Sequence, residues 1–114
     1  MEVSPGKSAV AEIVQLDTET ALLHATAAQW RLRVVESQLT LALTLCDIAE
    51  TDLRYGRLDE TVKLVSKLWH YAEIVRIHLD DPNHLPRVAR SDIRSQLTQL
   101  QERIKRVESR LRRQ

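Results

Sequence analysis

Apolar residues recur along this chain at alternating spacings of four and three. The row starts at Ala21 and runs through Ala25, Ala28, Leu32, Val35, Leu39, Ala42, Cys46 and Ala49 to Leu53. That spacing averages 3.5 residues, so it holds one stripe of an α-helix in a single direction. At 1.5 Å per residue the stripe is roughly 50 Å long. Leu22, Val34, Leu41, Leu45 and Ile48 flank it and are expected to widen it into the broad apolar face of a bundle helix.

Ser4-Pro5-Gly6 reads as a turn, so residues 1–7 are expected to be a flexible start, with Ser8 capping a helix that begins at Ala9. No Gly or Pro follows until Gly56; the weakest helical stretch on the way is Asp17-Thr18-Glu19-Thr20. Gly56 tolerates the left-handed backbone that ends helices. Asp59 is the expected N-cap of helix two, with Glu60 favourable in its first turn. In helix two Leu58, Val65, Leu68, Ala72, Val75 and Leu79 share one face, interrupted by Thr61. Asp80-Asp81-Pro82-Asn83-His84-Leu85-Pro86 reverses the chain, and Pro86 is a suitable first residue for helix three. There Ile93, Leu97, Leu100, Ile104, Val107 and Leu111 repeat at four and three. Strand-like alternation is absent. The expected fold is all-α: a three-helix antiparallel up-down-up bundle with a long N-terminal helix and coiled-coil-like packing, residues 8–114 forming a single helical domain.

The lengths do not match. Unbroken from Ser8 to Tyr55, helix one reaches roughly 72 Å, whereas helices two and three reach roughly 32 and 39 Å. Both start from the Gly56 end, so about 20 residues near Ala9–Ala28 lack an intrachain partner. This overhang is nonetheless apolar, and exposed apolar patches mark interfaces. Val10, Ile13, Val14, Ala21, Leu22, Ala25, Ala28 and Trp30 are its candidate contact residues. A two-fold pairing of identical overhangs is the commonest closed solution, so a homo-oligomer, with a dimer favoured, is the expected state. A break at Asp17–Thr20 would instead fold residues 8–16 back into a monomeric four-helix bundle.

Around Gly56, Leu45, Ile48, Ala49, Gly56, Leu58, Val65 and Leu68 fall at the spacing of a helical hairpin, with Tyr55-Gly56-Arg57-Leu58-Asp59-Glu60 as its turn. This segment of about 30 residues resembles one tetratricopeptide-type repeat. It departs from that pattern where Asp52 replaces an aromatic and Thr61 a small alanine. The resemblance implies peptide or protein binding rather than catalysis.

Charge changes the picture only at the end of the chain. The net charge is +1, yet residues 88–114 carry +5, from eight basic and three acidic side chains. Arg103, Lys105, Arg106, Arg110, Arg112 and Arg113 could meet a polyanion, which makes a nucleic-acid-associated helical protein the alternative reading. No aromatic stacking platform is interleaved with them. The one cysteine, Cys46, sits inside the apolar row and reads as a buried thiol. His78, Asp80, Asp81 and His84 gather at the second turn, where solvated turn geometry is the simpler account than a metal. Two isolated glycines exclude a phosphate-binding loop, and no nucleophile elbow or zinc-type cysteine spacing exists. No catalytic residue, metal or cofactor is expected. The composition excludes a disulfide framework and a membrane span. The expectation is a cytoplasmic, non-enzymatic protein–protein interaction module acting as a homo-oligomeric scaffold, adaptor or small chaperone, open to a protein or peptide partner.

Overall fold

Leu, Ala, Arg, Glu and Gln lose little freedom on entering a helix, and they fill the chain ahead of Gly56. In a computed structural model that whole stretch is one helix, α1, Pro5–Arg54, of 50 residues. The backbone is described from residue 5 and the side chains from residue 17. Pro5 opens the helix ahead of the expected Ser8 cap: its φ is preset and its missing N–H would have been unpaired there anyway. Asp17–Thr20 does not break the helix.

The end of α1 is closed by its backbone. Gly56 takes φ +74°, its N–H donates to the Leu53 carbonyl at 3.2 Å, and the Arg57 N–H donates to that of Asp52 at 2.8 Å. This is a Schellman closure, which normally adds an apolar contact between the two outer residues. Here those residues are Arg57 and Asp52, and they form an ion pair at 3.2 Å instead. The closure sets the start of α2, Leu58–Asp80. Its N-cap is therefore Arg57, which offers no side-chain cap, and Asp59 lies in the first turn rather than at the cap. There its charge still complements the helix dipole. Helix α3 follows as Arg87–Arg112, with Pro86 as the residue before it rather than its first. Among the described residues there is no strand, and no helix is long and apolar enough to cross a membrane.

The three helices run up, down and up, each packed on the other two. Their rows meet as the spacing requires. Val35, Leu39, Ala42, Cys46, Ala49 and Leu53 of α1 face Val65, Leu68, Ala72, Val75 and Leu79 of α2 and Ile93, Leu97, Leu100, Ile104 and Val107 of α3. Small residues in the middle of the α1 row let both neighbours approach, and branched side chains from α2 and α3 fill the space. Thr61 and Asp52 are the buried polar residues among those described; the Thr61 hydroxyl donates to the Arg57 carbonyl at 2.8 Å, so it is buried without an unpaired donor. Three polar links tie the helices together outside the core, the first from Arg90 of α3 to the Leu79 carbonyl of α2 at 2.5 Å. Trp69 Nε1 donates to Glu108, and Arg103 reaches Asp47 at 2.8 Å and Glu50 at 3.1 Å.

The result is a rod of 86 × 19 × 15 Å with a radius of gyration of 22.3 Å, where a compact chain of this length would have about 13 Å. Leu100 is fully buried at the centre of the α3 row. Leu100→Ala is expected to cost about 2–5 kcal/mol of unfolding free energy, read by chemical denaturation. A shift near zero would mean that α3 is not part of the cooperative unit.

Candidate functional site

The rod has two parts. The turn between α2 and α3 is fastened to α1 at one point, where Arg31 Nε donates to the His84 carbonyl at 2.6 Å. Next to it Leu85 is buried. The bundle ends at that level. Ala28 is the first buried residue among the described side chains of α1, and 23 residues of helix precede it, roughly 34 Å of helix.

Of the candidate contact residues, Ala21, Leu22, Ala25 and Trp30 are exposed, Leu22 at 63% and Trp30 at 62%. Ala28 is not available: it packs into the intrachain core and marks the border of the overhang. Val10, Ile13 and Val14 lie outside the described side chains. All side chains from Asp17 to Thr26 are exposed, so the four-and-three row of the core continues onto bare helix. The Thr26 hydroxyl donates to the Leu22 carbonyl at 2.9 Å, which leaves its methyl for contact.

One expectation about α1 is corrected. Leu45 does pack on the core, but Val34, Leu41 and Ile48 do not widen the inner face; they are exposed. They belong to a second four-and-three row on the far side of the helix. The signal was present in the spacing, because 34, 41 and 48 differ by seven and fall one residue before core positions.

The basic end divides. Arg103 is held by Asp47 and Glu50 of α1, which raises its pKa further, mainly through the bond to Asp47. It serves the bundle and leaves the polyanion set. Arg112 stands 3.8 Å from Glu108, and Lys105 is exposed. Arg106, Arg110 and Arg113 come together with Ser109 around a shallow recess of about 310 Å³, which also contains Glu50.

At the second turn the rings of His78 and His84 lie 4.8 Å apart. The acids beside them are engaged in the turn: Asp80 with Arg76 at 2.6 Å, and Asp81 with the Asn83 N–H at 2.9 Å. Among the described residues no three metal-ligating side chains gather. Cys46 is buried, and burial pushes its thiol pKa up, opposite to what a nucleophile needs.

His78 carries a pH dependence. Its pKa is lowered, first by burial, then by His84 and Arg31, and its Nδ1 is buried without a hydrogen-bond partner. The folded state therefore favours neutral imidazole. Stability from this group is full above the ordinary value of 6.5 and is lost as pH falls through it toward the lowered folded value. Thermal melting is expected to drop between about pH 8 and about pH 5, and His78→Gln to flatten that slope. An unchanged slope in the variant would assign the effect to other groups.

Compared with protein-family models, with curated proteins and with solved structures, the chain matches none.

Proposed function

We propose that this protein is a non-enzymatic helical interaction module, a homo-oligomeric scaffold, adaptor or small chaperone, which associates through the overhang of α1. One observation carries the reading: the apolar row that forms the core from Ala28 onward continues to Ala21 and Ala25 on helix that α2 and α3 do not cover. Alanines there allow a second helix to approach closely. Leu22 and Trp30 supply the large apolar contacts. A two-fold pairing of identical overhangs closes the surface without a further component. The likeness of the Gly56 hairpin to a tetratricopeptide-type repeat supports protein or peptide binding. A cytoplasmic setting goes with a single buried thiol.

Light scattering at micromolar concentration tests this. The wild-type chain is expected at a mass of at least twice its 13.1 kDa. Leu22→Asp with Ala25→Asp is expected to lower the mass at equal concentration. A wild-type monomer, or a mass that the double substitution leaves unchanged, overturns the reading.

A second reading is favoured by the trio of Arg106, Arg110 and Arg113 around one recess: contact with a nucleic acid. Neutralised phosphates release counterions, so such binding weakens with salt by about 0.9 log units per contact for each tenfold rise. Without an aromatic platform it is expected to be weak, salt-sensitive and indifferent to sequence. Tight binding of one duplex sequence that survives high salt, measured by fluorescence anisotropy, would contradict this expectation.

A further inference from the structure

The second row on α1 has a length and composition of its own. Its large members are Leu23, Trp30, Val34, Leu41, Ile48 and Tyr55, each between 44% and 69% exposed. Between them, in the half of α1 that lies within the bundle, stand small residues: Ser37, Thr44 and Thr51. From Leu23 to Thr51 each member sits one or two residues before a member of the core row, an offset of about one and a half residues, or about 150° around the helix, and Tyr55 continues the spacing past the end of the core row. Neither α2 nor α3 reaches this face. Two of its hydroxyls are already satisfied within the helix: Thr44 donates to the Thr40 carbonyl at 3.1 Å and Thr51 to that of Asp47 at 2.9 Å. Both threonines can be covered without stranding a donor.

We propose that this outer face of α1 docks a second copy of the chain, antiparallel, with the two-fold axis level with residue 39. The occupant follows from three features. The first is size. In an antiparallel pair each layer joins one position of each kind. Around the axis Val34 then meets Thr44 of the second copy and Leu41 meets Ser37, large on small; farther out Trp30 meets Ile48 and Leu23 meets Tyr55, which adds apolar contact at both ends. A parallel pair would stack Ser37, Thr44 and Thr51 each on itself and leave gaps beside them.

The second feature is charge. With the axis at residue 39, Arg33 stands beside Asp47 of the second copy, twice by symmetry. Arg33 is exposed and lies over the Trp30 ring at 5.5 Å; Asp47 already pairs with Arg103 of its own chain at 2.8 Å, yet its side chain is 73% exposed and keeps an acceptor side open to a second cation. Sliding the pair by one heptad, to an axis midway between residues 42 and 43, places Arg33 beside Arg54 of the second copy. The third feature is area. From the exposed fractions, the row offers roughly 700 Å² per copy, close to the ~800 Å² per partner of a standard interface. The overhang of each copy then runs out past the Gly56 turn of the other, so the two bundles do not collide.

This face shares Trp30 with the overhang contact and is otherwise distinct from it, so each is tested by substitutions that belong to one face only. The test is cross-linking in full-length chains with Cys46→Ser, using a short bis-maleimide. Thr40→Cys lies beside the axis and is expected to link to itself. Arg33→Cys and Asp47→Cys are expected to link to each other when mixed, and neither to itself. Leu41→Asp with Ile48→Asp is expected to abolish the Thr40→Cys link while leaving the helical circular dichroism spectrum unchanged at 25 °C, because both side chains lie outside the core. Leu22→Asp with Ala25→Asp is expected to leave that link intact. In light scattering Leu41→Asp with Ile48→Asp is expected to lower the mass at equal concentration, and the two double substitutions together to give one copy. Absence of the Thr40→Cys link, self-linking at Arg33→Cys, or an outer face taken by a helix of another protein while the chain itself stays single would overturn the proposal.

Discussion

One helix serves as the wall against which everything else in this molecule packs. Both α2 and α3 bury their apolar rows on the inner face of α1, and both are fixed to its C-terminal half: by the Schellman closure at Gly56, by Arg103 on Asp47 and Glu50, and by Arg31 on the second turn. Their 23 and 26 residues reach roughly 34 and 39 Å along a helix of roughly 75 Å. From that mismatch follow the rod shape, the burial that begins at Ala28, and the bare continuation of the row on Ala21 and Ala25.

A helix without tertiary support is marginal in water when it has to nucleate itself. The overhang does not have to. It grows from a turn already fixed by the core at Ala28 and Arg31, so each further residue adds only a propagation step. The alanines, leucines and glutamines along it are favourable for that step. What such a segment does not need, as a helix, is an apolar row. Leu22 and Trp30 gain nothing from the bundle at 63% and 62% exposure, and their cost in solvent is what the association reading answers.

Much of this was legible in the chain itself. The rows Val35–Leu53, Val65–Leu79 and Ile93–Val107 could be read because a four-and-three repeat has one geometric outcome on a helix, and Gly56 because few residues tolerate its φ. The start of α2 was misread at Asp59. Cap preference is a local signal, and the Schellman closure two residues upstream overrode it. Arg103 looked like its basic neighbours, because a side chain's partner on another helix leaves no mark in the local sequence. Ala28 was placed in the overhang because helix length alone does not say where the Asp81–Pro86 turn lands. The outer row was the most instructive miss. Val34, Leu41 and Ile48 share the period of the core row, and period alone does not separate two faces of one helix; phase does.

Phase also explains why the two faces differ in composition. On the inner face α1 meets two helices at once, and Ala42, Cys46 and Ala49 keep the three backbones close. Large residues there would force the neighbours apart. On the outer face no intrachain helix competes for space, so nothing in the fold selects small residues, and nothing selects large apolar ones either. The exposed side of α2 carries Lys63, Lys67 and Glu73 beside the apolar Val62 and Ile77, which do not fall a heptad apart. The outer face of α1 instead carries Val, Leu and Ile a heptad apart, with hydroxyl-bearing residues whose bonding is largely turned back into the helix. Alternating bulk with self-satisfied polarity lowers the cost of covering this surface with one more helix, which is why the proposed docking is placed there. From Val34 to Tyr55 small and large alternate at half-heptad steps, and this is the feature that supports the proposed pairing of the row with its own reverse.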